Sequence, residues 1–382
     1  MQPDQASTQQ LTGQLTRTEG YLQVDPGNTD LLAAAIDLCL ALGDLARAQQ
    51  HVDAACTRYP ADPFFQYRRA HVLVGQQRWE AAMPIFAALF AQHQDGNIAY
   101  SLADCQWRAG ACQEALDTMA AFRADPALAP EAVTLLVRVL HTLGQLDEAA
   151  DLAQAHGARL GAEPAFLAAA GLMYFDRGDV AQATAMSEAA LAAGKRAPEA
   201  LVVSGSLALG RSDTDTAIAR FNEVLAKNPR EGRSWSGLGM ASLLRRDLQG
   251  AAAQLEQAVK YMPSHLGTWH LLGWCRLFGN DLAGARAVFE AALERDRNFG
   301  ESHGGLAVVQ AMQGEREAAE AGIARALRLD PNGLSARYAQ MVLSGEAADP
   351  ERFKRIAYRL LSSHQALDGE TIADVVQRHA GD

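Results

Sequence analysis

Lysine is scarce in this chain, and paired cysteines, long apolar runs and any excess of positive charge are missing altogether. Four lysines stand against thirty arginines, a bias that, with the abundant alanine, points to a GC-rich bacterial genome. Acidic residues outnumber basic ones by 45 to 34, and the net charge of -11 disfavours phosphate backbones and anionic lipid, so no nucleic-acid partner is expected. No run of about 18 apolar residues occurs, which argues against membrane insertion. No basic-then-apolar leader opens the sequence, and the expected location is the cytoplasm. The five cysteines, Cys39, Cys56, Cys105, Cys112 and Cys275, include no Cys-x-x-Cys pair. Most fall in apolar helical stretches and read as buried free thiols rather than a metal site or disulfide framework.

Catalytic motifs are lacking too, although three stretches come near one. Gly232-Arg233-Ser234-Trp235 opens like a nucleophile elbow, but Ser236 stands where the second glycine belongs and no strand precedes it. Gly194-Lys195 resembles the end of a phosphate loop, yet Ala189 replaces its first glycine. Asp213-x-Asp215 lacks the glycine and distal glutamate of a calcium loop and reads as polar residues opening a helix. The ten histidines include no H-E-x-x-H; His71, His141 and His270 share one predicted face but sit in different repeats, as scattered polar contacts would. Neither an enzymatic activity, nor a metal, nor a cofactor is expected.

What the chain does have is order and a period. Hydrophobic residues make up 49% and charged residues 21%, ample for burial and ordinary for a folded protein. Trp235, Leu238, Gly239, Ala251, Leu255, Ala258 and Pro263 follow the spacing W-x2-L-G, A-x3-F, A, P of a two-helix unit about 34 residues long. Trp269, Leu272, Gly273, Ala285, Phe289 and Ala292 repeat it, followed by His303, Leu306, Ala307, Ala319, Ile323, Ala326 and Pro331. The marker alanines Ala48, Ala82, Ala115, Ala149, Ala183, Ala217, Ala251, Ala285 and Ala319 are 34 or 33 residues apart throughout. Small residues on the two helices of a unit let their backbones approach, and the larger Trp, Leu and Phe positions fill the gaps to either side.

This pattern resembles the tetratricopeptide repeat family. The resemblance implies an all-α fold, a right-handed superhelical solenoid of about nine helix-turn-helix units with capping helices at both ends. Residues 1–28 form the N-terminal cap, with Leu11, Leu15 and Leu22 on one stripe; 29–333 form the array; 334–382 form a degenerate repeat and C-terminal caps. Pro84 falls early in a second helix, which is expected to start late or bend there. After Asp349-Pro350 a further helix carries Phe353, Ile356, Ala357 and Leu360 on one face and Arg352, Lys354, Arg355 and Arg359 on the other, and 369–379 read as a short last helix.

Such repeats imply a ligand groove lined by the first helix of each unit. Register places Tyr67, His71, Tyr100, Asp104, Trp107, Arg108, Arg138 and His141 on that face in the N-terminal half, which is polar and aromatic. In the C-terminal half it places Phe175, Met240, Leu243, His270, Trp274 and Leu277 there, together with Leu172, Leu209, Leu244, Phe278, Val308 and Met312. An apolar surface this large calls for a cover. Either a partner supplies it, or the neighbouring helices bury part of it as core, most of all Leu244 and Phe278 near helix ends. Relatives that grip C-terminal carboxylates use Lys, Asn and Arg on successive first helices; here no lysine falls on an inward position, and Asn97, Arg108 and Arg138 are the nearest set.

The sequence therefore points to a non-enzymatic scaffold or adaptor, chaperone-like, that holds an apolar or amphipathic segment of a protein or peptide partner, with Trp274 as the expected anchor. The alternative is a substrate-presenting subunit of an enzyme such as a glycosyltransferase, or of a secretion or envelope-assembly machine. Self-association through the capping helices is left open.

Overall fold

The computed structural model describes residues 5–194 and 196–348, and every regular element among them is helical. The chain divides into two compact units, Met1–Leu160 and Gly161–Asp382. The division falls inside the stretch 29–333 read above as one array, and each unit is taken by itself.

The first unit opens with a lone helix, α1 (Gln5–Val24). Four pairs follow: α2 (Thr29–Leu42) with α3 (Leu45–Arg58), α4 (Pro63–Gly75) with α5 (Trp79–His93), α6 (Gly96–Arg108) with α7 (Cys112–Met119), and α8 (Pro130–Thr142) with α9 (Leu146–Leu160). Leu15 of α1 is buried against Leu32, Ile36 and Val52, while Glu19 takes hydrogen bonds from Arg47 and His51 of α3. One helix thus covers the open apolar side of the first pair.

The second unit holds five pairs: α10 (Pro164–Arg177) with α11 (Val180–Ala192), α12 (Pro198–Gly210) with α13 (Thr214–Lys227), α14 (Gly232–Leu244) with α15 (Leu248–Tyr261), α16 (Leu266–Phe278) with α17 (Leu282–Arg295), and α18 (Gly300–Met312) with α19 (Arg316–Leu329). After them come α20 (Leu334–Leu343) and a 3-10 turn, Glu346–Ala348. The helices expected beyond Asp349 lie outside the described residues.

Two local devices recur, one in all nine pairs and the other in five of them, and both follow from the sequence. The turn joining the two helices of each pair has one residue with positive φ: Gly43, Gly110, Gly144, Gly178 and Gly314 in five pairs, but Gln77, Ser212, Arg246 and Asn280 in the others. That left-handed residue ends the first helix, since its N–H turns back onto the last carbonyls. Immediately after it, Asp44, Asp179, Asp213, Asp247 and Asp281 cap second helices by accepting the N–H three residues on, at 3.1, 3.2, 3.0, 2.9 and 2.8 Å. Asp213 is therefore a helix cap, as its spacing predicts.

In two pairs of the second unit the buried wedge between neighbouring first helices is a phenylalanine of the second helix, Phe221 of α13 and Phe289 of α17. Phe289 of α17 is fully buried, and its ring lies so close to Gly273 of α16 and Gly305 of α18 that a Cβ on either would come within 2.5 and 2.4 Å of it. Gly273 and Gly305 stand where this phenyl ring needs the space. Trp235 and Trp269, the most conspicuous marker residues, are only half-buried. Each donates its indole N–H over 2.9 Å to the carbonyl of the proline in the preceding turn, Pro229 and Pro263, and so pins the connection between units instead of filling the core. Pro84 neither delays nor ends α5, which starts at Trp79 and runs through it.

Candidate functional site

In the first unit the inward positions of α4, α6 and α8 carry side chains that satisfy one another. Tyr67 meets His71 edge to face at 4.4 Å, and His71 stands 5.2 Å from the Phe86 ring. Burial lowers the His71 pKa, opposed by Asp37 and reinforced by Arg68; those two are themselves joined by hydrogen bonds of 2.9 and 2.7 Å. Asp104 accepts from Arg108 at 2.7 Å, and that guanidinium lies 5.0 Å from the Trp79 ring and 5.8 Å from Trp107. Arg138 also lies over Trp107, at 5.9 Å, with His141 half-buried one turn later on α8. Arg108 is held by Asp104, and Asn97 at the start of α6 shares a cavity with the carboxylates of Asp125 and Glu131.

The second unit brings His270 and Trp274 of α16 together with residues of α18 and α20. The indole N–H of Trp274 is 2.9 Å from His270 Nε2 and 3.3 Å from Ser335 Oγ. The Ser335 hydroxyl donates to Glu301, whose carboxylate stands 3.4 Å from His270 Nε2. Around this network lie the rings of Phe278 and Tyr338, each 5.5 Å from Trp274, and Phe289 and Phe299 against His270. A Cβ on Gly304 would come within 2.7 Å of the α20 backbone; the bare glycine is what lets α20 sit so close that its side chains reach Trp274. Burial lowers the His270 pKa, against the opposing pull of Glu301.

Trp274 is thus half-buried and hydrogen-bonded, a bracket between α16 and α20 more than an open anchor. Leu277, expected on the groove, is only 7% exposed and belongs to the core with Phe289, Val308 and Val309. Leu209 and Val308 are buried likewise, and Leu243 is packed against Leu272 and Val259. The residues expected to be buried by neighbours behave in the opposite way: Leu244 is 41% and Phe278 64% exposed, with Met240 at 42% and Met312 at 44%. Leu244, Phe278 and Met312 are 34 residues apart, each the last residue of its first helix, and make an exposed apolar ridge of one residue per repeat on α14, α16 and α18. Phe175 stands half-buried on α10, next to Asp176, which accepts hydrogen bonds of 2.8 and 2.6 Å from Arg233.

Sequence models of the tetratricopeptide repeat match residues 67–129, 202–264 and 279–343. The chain belongs to the tetratricopeptide repeat family. Among solved structures it is similar to a tetratricopeptide repeat protein from Parabacteroides merdae ATCC 43184, at 16% identity and a TM-score of 0.47, over 64% of this chain and 97% of that one. It is also similar to pilF of Pseudomonas aeruginosa, at 16% identity and a TM-score of 0.46, over 57% and 98%, and to a thermophilic repeat protein of the same family from Thermus thermophilus, at 23% and 0.38, over 45% and 95%. No curated protein matches the sequence.

Tetratricopeptide arrays are protein-interaction scaffolds, and the side chains of this one hold little that is reactive. Ser234 of the elbow-like stretch is buried inside α14, its hydroxyl without a partner. Burial raises the thiol pKa of all five cysteines, to about 11 for Cys39 and Cys105, which keeps them protonated and unreactive. Among the described residues no three His, Cys, Asp or Glu side chains stand close enough to hold a metal ion, and no helix is long and apolar enough to cross a membrane. Lys195 of the phosphate-loop-like stretch lies outside the described residues.

Proposed function

We propose that this protein is a non-catalytic adaptor that holds an apolar or amphipathic segment of a partner protein against the first helices of its second unit. One observation carries the reading: the exposed ridge of Leu244, Phe278 and Met312, extended by Met240. Single exposed apolar residues are ordinary on a protein surface, but three at the same position of successive repeats form a recurring series of the kind that marks an interaction site. The register suits a segment that offers an apolar side chain to each first helix in turn. Phe278, the most exposed of the four, takes the place of Trp274 as the anchor.

The test is co-purification of the wild-type chain from its source cells, identification of the partner by mass spectrometry, and titration of the partner's apolar segments as synthetic peptides. Phe278→Ala is expected to weaken the binding segment by about 2 kcal/mol, roughly thirtyfold, with unchanged melting. Equal affinity of the wild type and a Leu244→Ser, Phe278→Ser double variant would move the site elsewhere.

A further inference from the structure

The repeat is interrupted once, and the interruption leaves a cavity. The helix α7 has 8 residues, whereas its counterparts α5 and α9 each have 15. Between α7 and α8 the chain runs instead through successive turns, in which Phe122 N bonds Met119 O at 3.0 Å, Asp125 N bonds Phe122 O at 3.0 Å and Leu128 N bonds Asp125 O at 3.0 Å. Asp125-Pro126 and Pro130 account for the break, since neither proline supplies an N–H and each restricts the residue before it. These turns swing Phe122 back against Gly96, where a Cβ would touch the ring at 3.4 Å, and set it 6.3 Å from Phe90. Behind it opens a cavity of about 370 Å³ between the starts of α6 and α8.

The walls of this cavity have one electrical sign. Tyr100 and Phe122 supply rings, Asn97 an amide, and Asp125 and Glu131 carboxylates; no cationic side chain lines it. The neighbouring cations are engaged: Arg108 with Asp104, Arg123 with Glu148 and Arg138 over Trp107, while Arg159 bonds His156 and, on the cavity's own wall, the Leu128 carbonyl. One oxygen of Asp125 caps Ala127 N at 2.8 Å, leaving the other free. Burial, Asp104 and Glu131 raise the Tyr100 pKa, in spite of Arg108 and Arg138, so its hydroxyl stays protonated.

We propose that this cavity binds the side chain of a lysine presented by a partner protein. An ammonium on an apolar stem fits both features of the lining, because the rings take the methylenes and the face of the charge while the carboxylates, the free amide and the phenol oxygen accept its N–H groups. Those acceptors sit on different walls. A planar guanidinium pairs edge-on with one carboxylate; Asp125, one oxygen of which is on Ala127 N, offers no such edge, which leaves Glu131 alone to hold a guanidinium, whereas a tetrahedral ammonium directs its three donors to separate acceptors and can use both carboxylates. The site lies in the first unit and is independent of the ridge on α14, α16 and α18.

The experiment is a titration, followed by isothermal calorimetry and by NMR of the labelled full chain, with a capped Gly-Ser-Lys-Ser-Gly peptide and its norleucine, ε-acetyl-lysine and arginine counterparts. The lysine peptide is expected to shift resonances around Tyr100 and Phe122, weakly and in a salt-sensitive way. The norleucine and acetylated peptides should bind about tenfold more weakly or not at all, as should the lysine peptide to an Asp125→Asn, Glu131→Gln variant. Both substitutions are isosteric, and asparagine still caps Ala127, so unchanged helicity and melting are the control for folding. Phe278→Ala should leave lysine binding intact. Equal binding of the norleucine peptide, tighter binding of the arginine peptide, unaffected binding by the double variant, or no binding of the lysine peptide would each overturn the assignment.

Discussion

The indole N–H of Trp274 points at the Nε2 atom of His270 one helical turn before it, 2.9 Å away, while Ser335 of α20 stands 3.3 Å from the same N–H. An acceptor at Nε2 requires the imidazole to be neutral with its proton on Nδ1. A tryptophan that register alone assigns to an open groove is in this way tied to α20, and its removal has structural consequences.

Trp274→Ala is expected to destabilise the second unit by about 2 kcal/mol or more, less than a fully buried tryptophan because half of the ring is already wet. Trp274→Phe keeps most of the packing and loses the N–H bond, for about 1 kcal/mol. Because repeats contact only their neighbours, the loss should be local. Hydrogen exchange should show faster opening of α16, α18 and α20 with little change in α1 to α9. A groove residue with no structural role would leave both melting and exchange as they are.

Acid should weaken the fold before the carboxylates titrate. Burial lowers the pKa of His71, His156 and His270, so as pH falls the unfolded chain takes up these protons first. Stability is then fully present above about pH 6.5, declines as pH drops from there toward the lowered folded-state values, and levels off below them. Urea melts between pH 7.5 and 5 should show this slope, and His270→Gln, whose amide still accepts the indole N–H, should flatten it. A wild type as stable at pH 5 as at pH 7.5 would contradict the burial of these imidazoles.

The turn position with positive φ predicts opposite signs for two simple substitutions. Ser212 adopts φ 60° and Gly178 φ 85° at equivalent places, and a side chain there is disfavoured by about 1 kcal/mol. Ser212→Gly should raise stability by up to about that amount, and Gly178→Ala, where a Cβ meets nothing within 4 Å, should lower it by a similar amount through backbone strain alone. Thermal melts of the two variants compare them directly.

The sequence by itself determined the units. A period of 34 residues, small residues at facing positions, aspartate at the start of second helices and glycine at many first-helix ends are local signals, each acting within a few residues, and together they placed nine helix pairs among the described residues. The same signals located the first helices that carry Tyr67, Tyr100, Trp107 and Arg138 as well as Met240 and Phe278. They could not rank those residues by exposure, since register says which way a side chain leaves its own helix and nothing of what arrives from the next one.

Tertiary structure made those decisions. Leu277 and Phe278 are adjacent in sequence, yet one is packed on Phe289 and Val308 while the other is 64% exposed, because a helix turns about 100° per residue and the neighbouring helix covers only part of the arc. Trp274 became a bracket because Gly304 lets α20 close in and bring Ser335 and Tyr338 to it, residues 61 and 64 positions further along the chain. The cavity beside Tyr100 exists because α7 stops after 8 residues, and its lining was gathered from α6, α8 and the turns between them. Periodicity specifies each helix and its neighbour in sequence; contacts that skip a helix depend on the closeness of packing, and that distance is set by the side chains of all the helices involved.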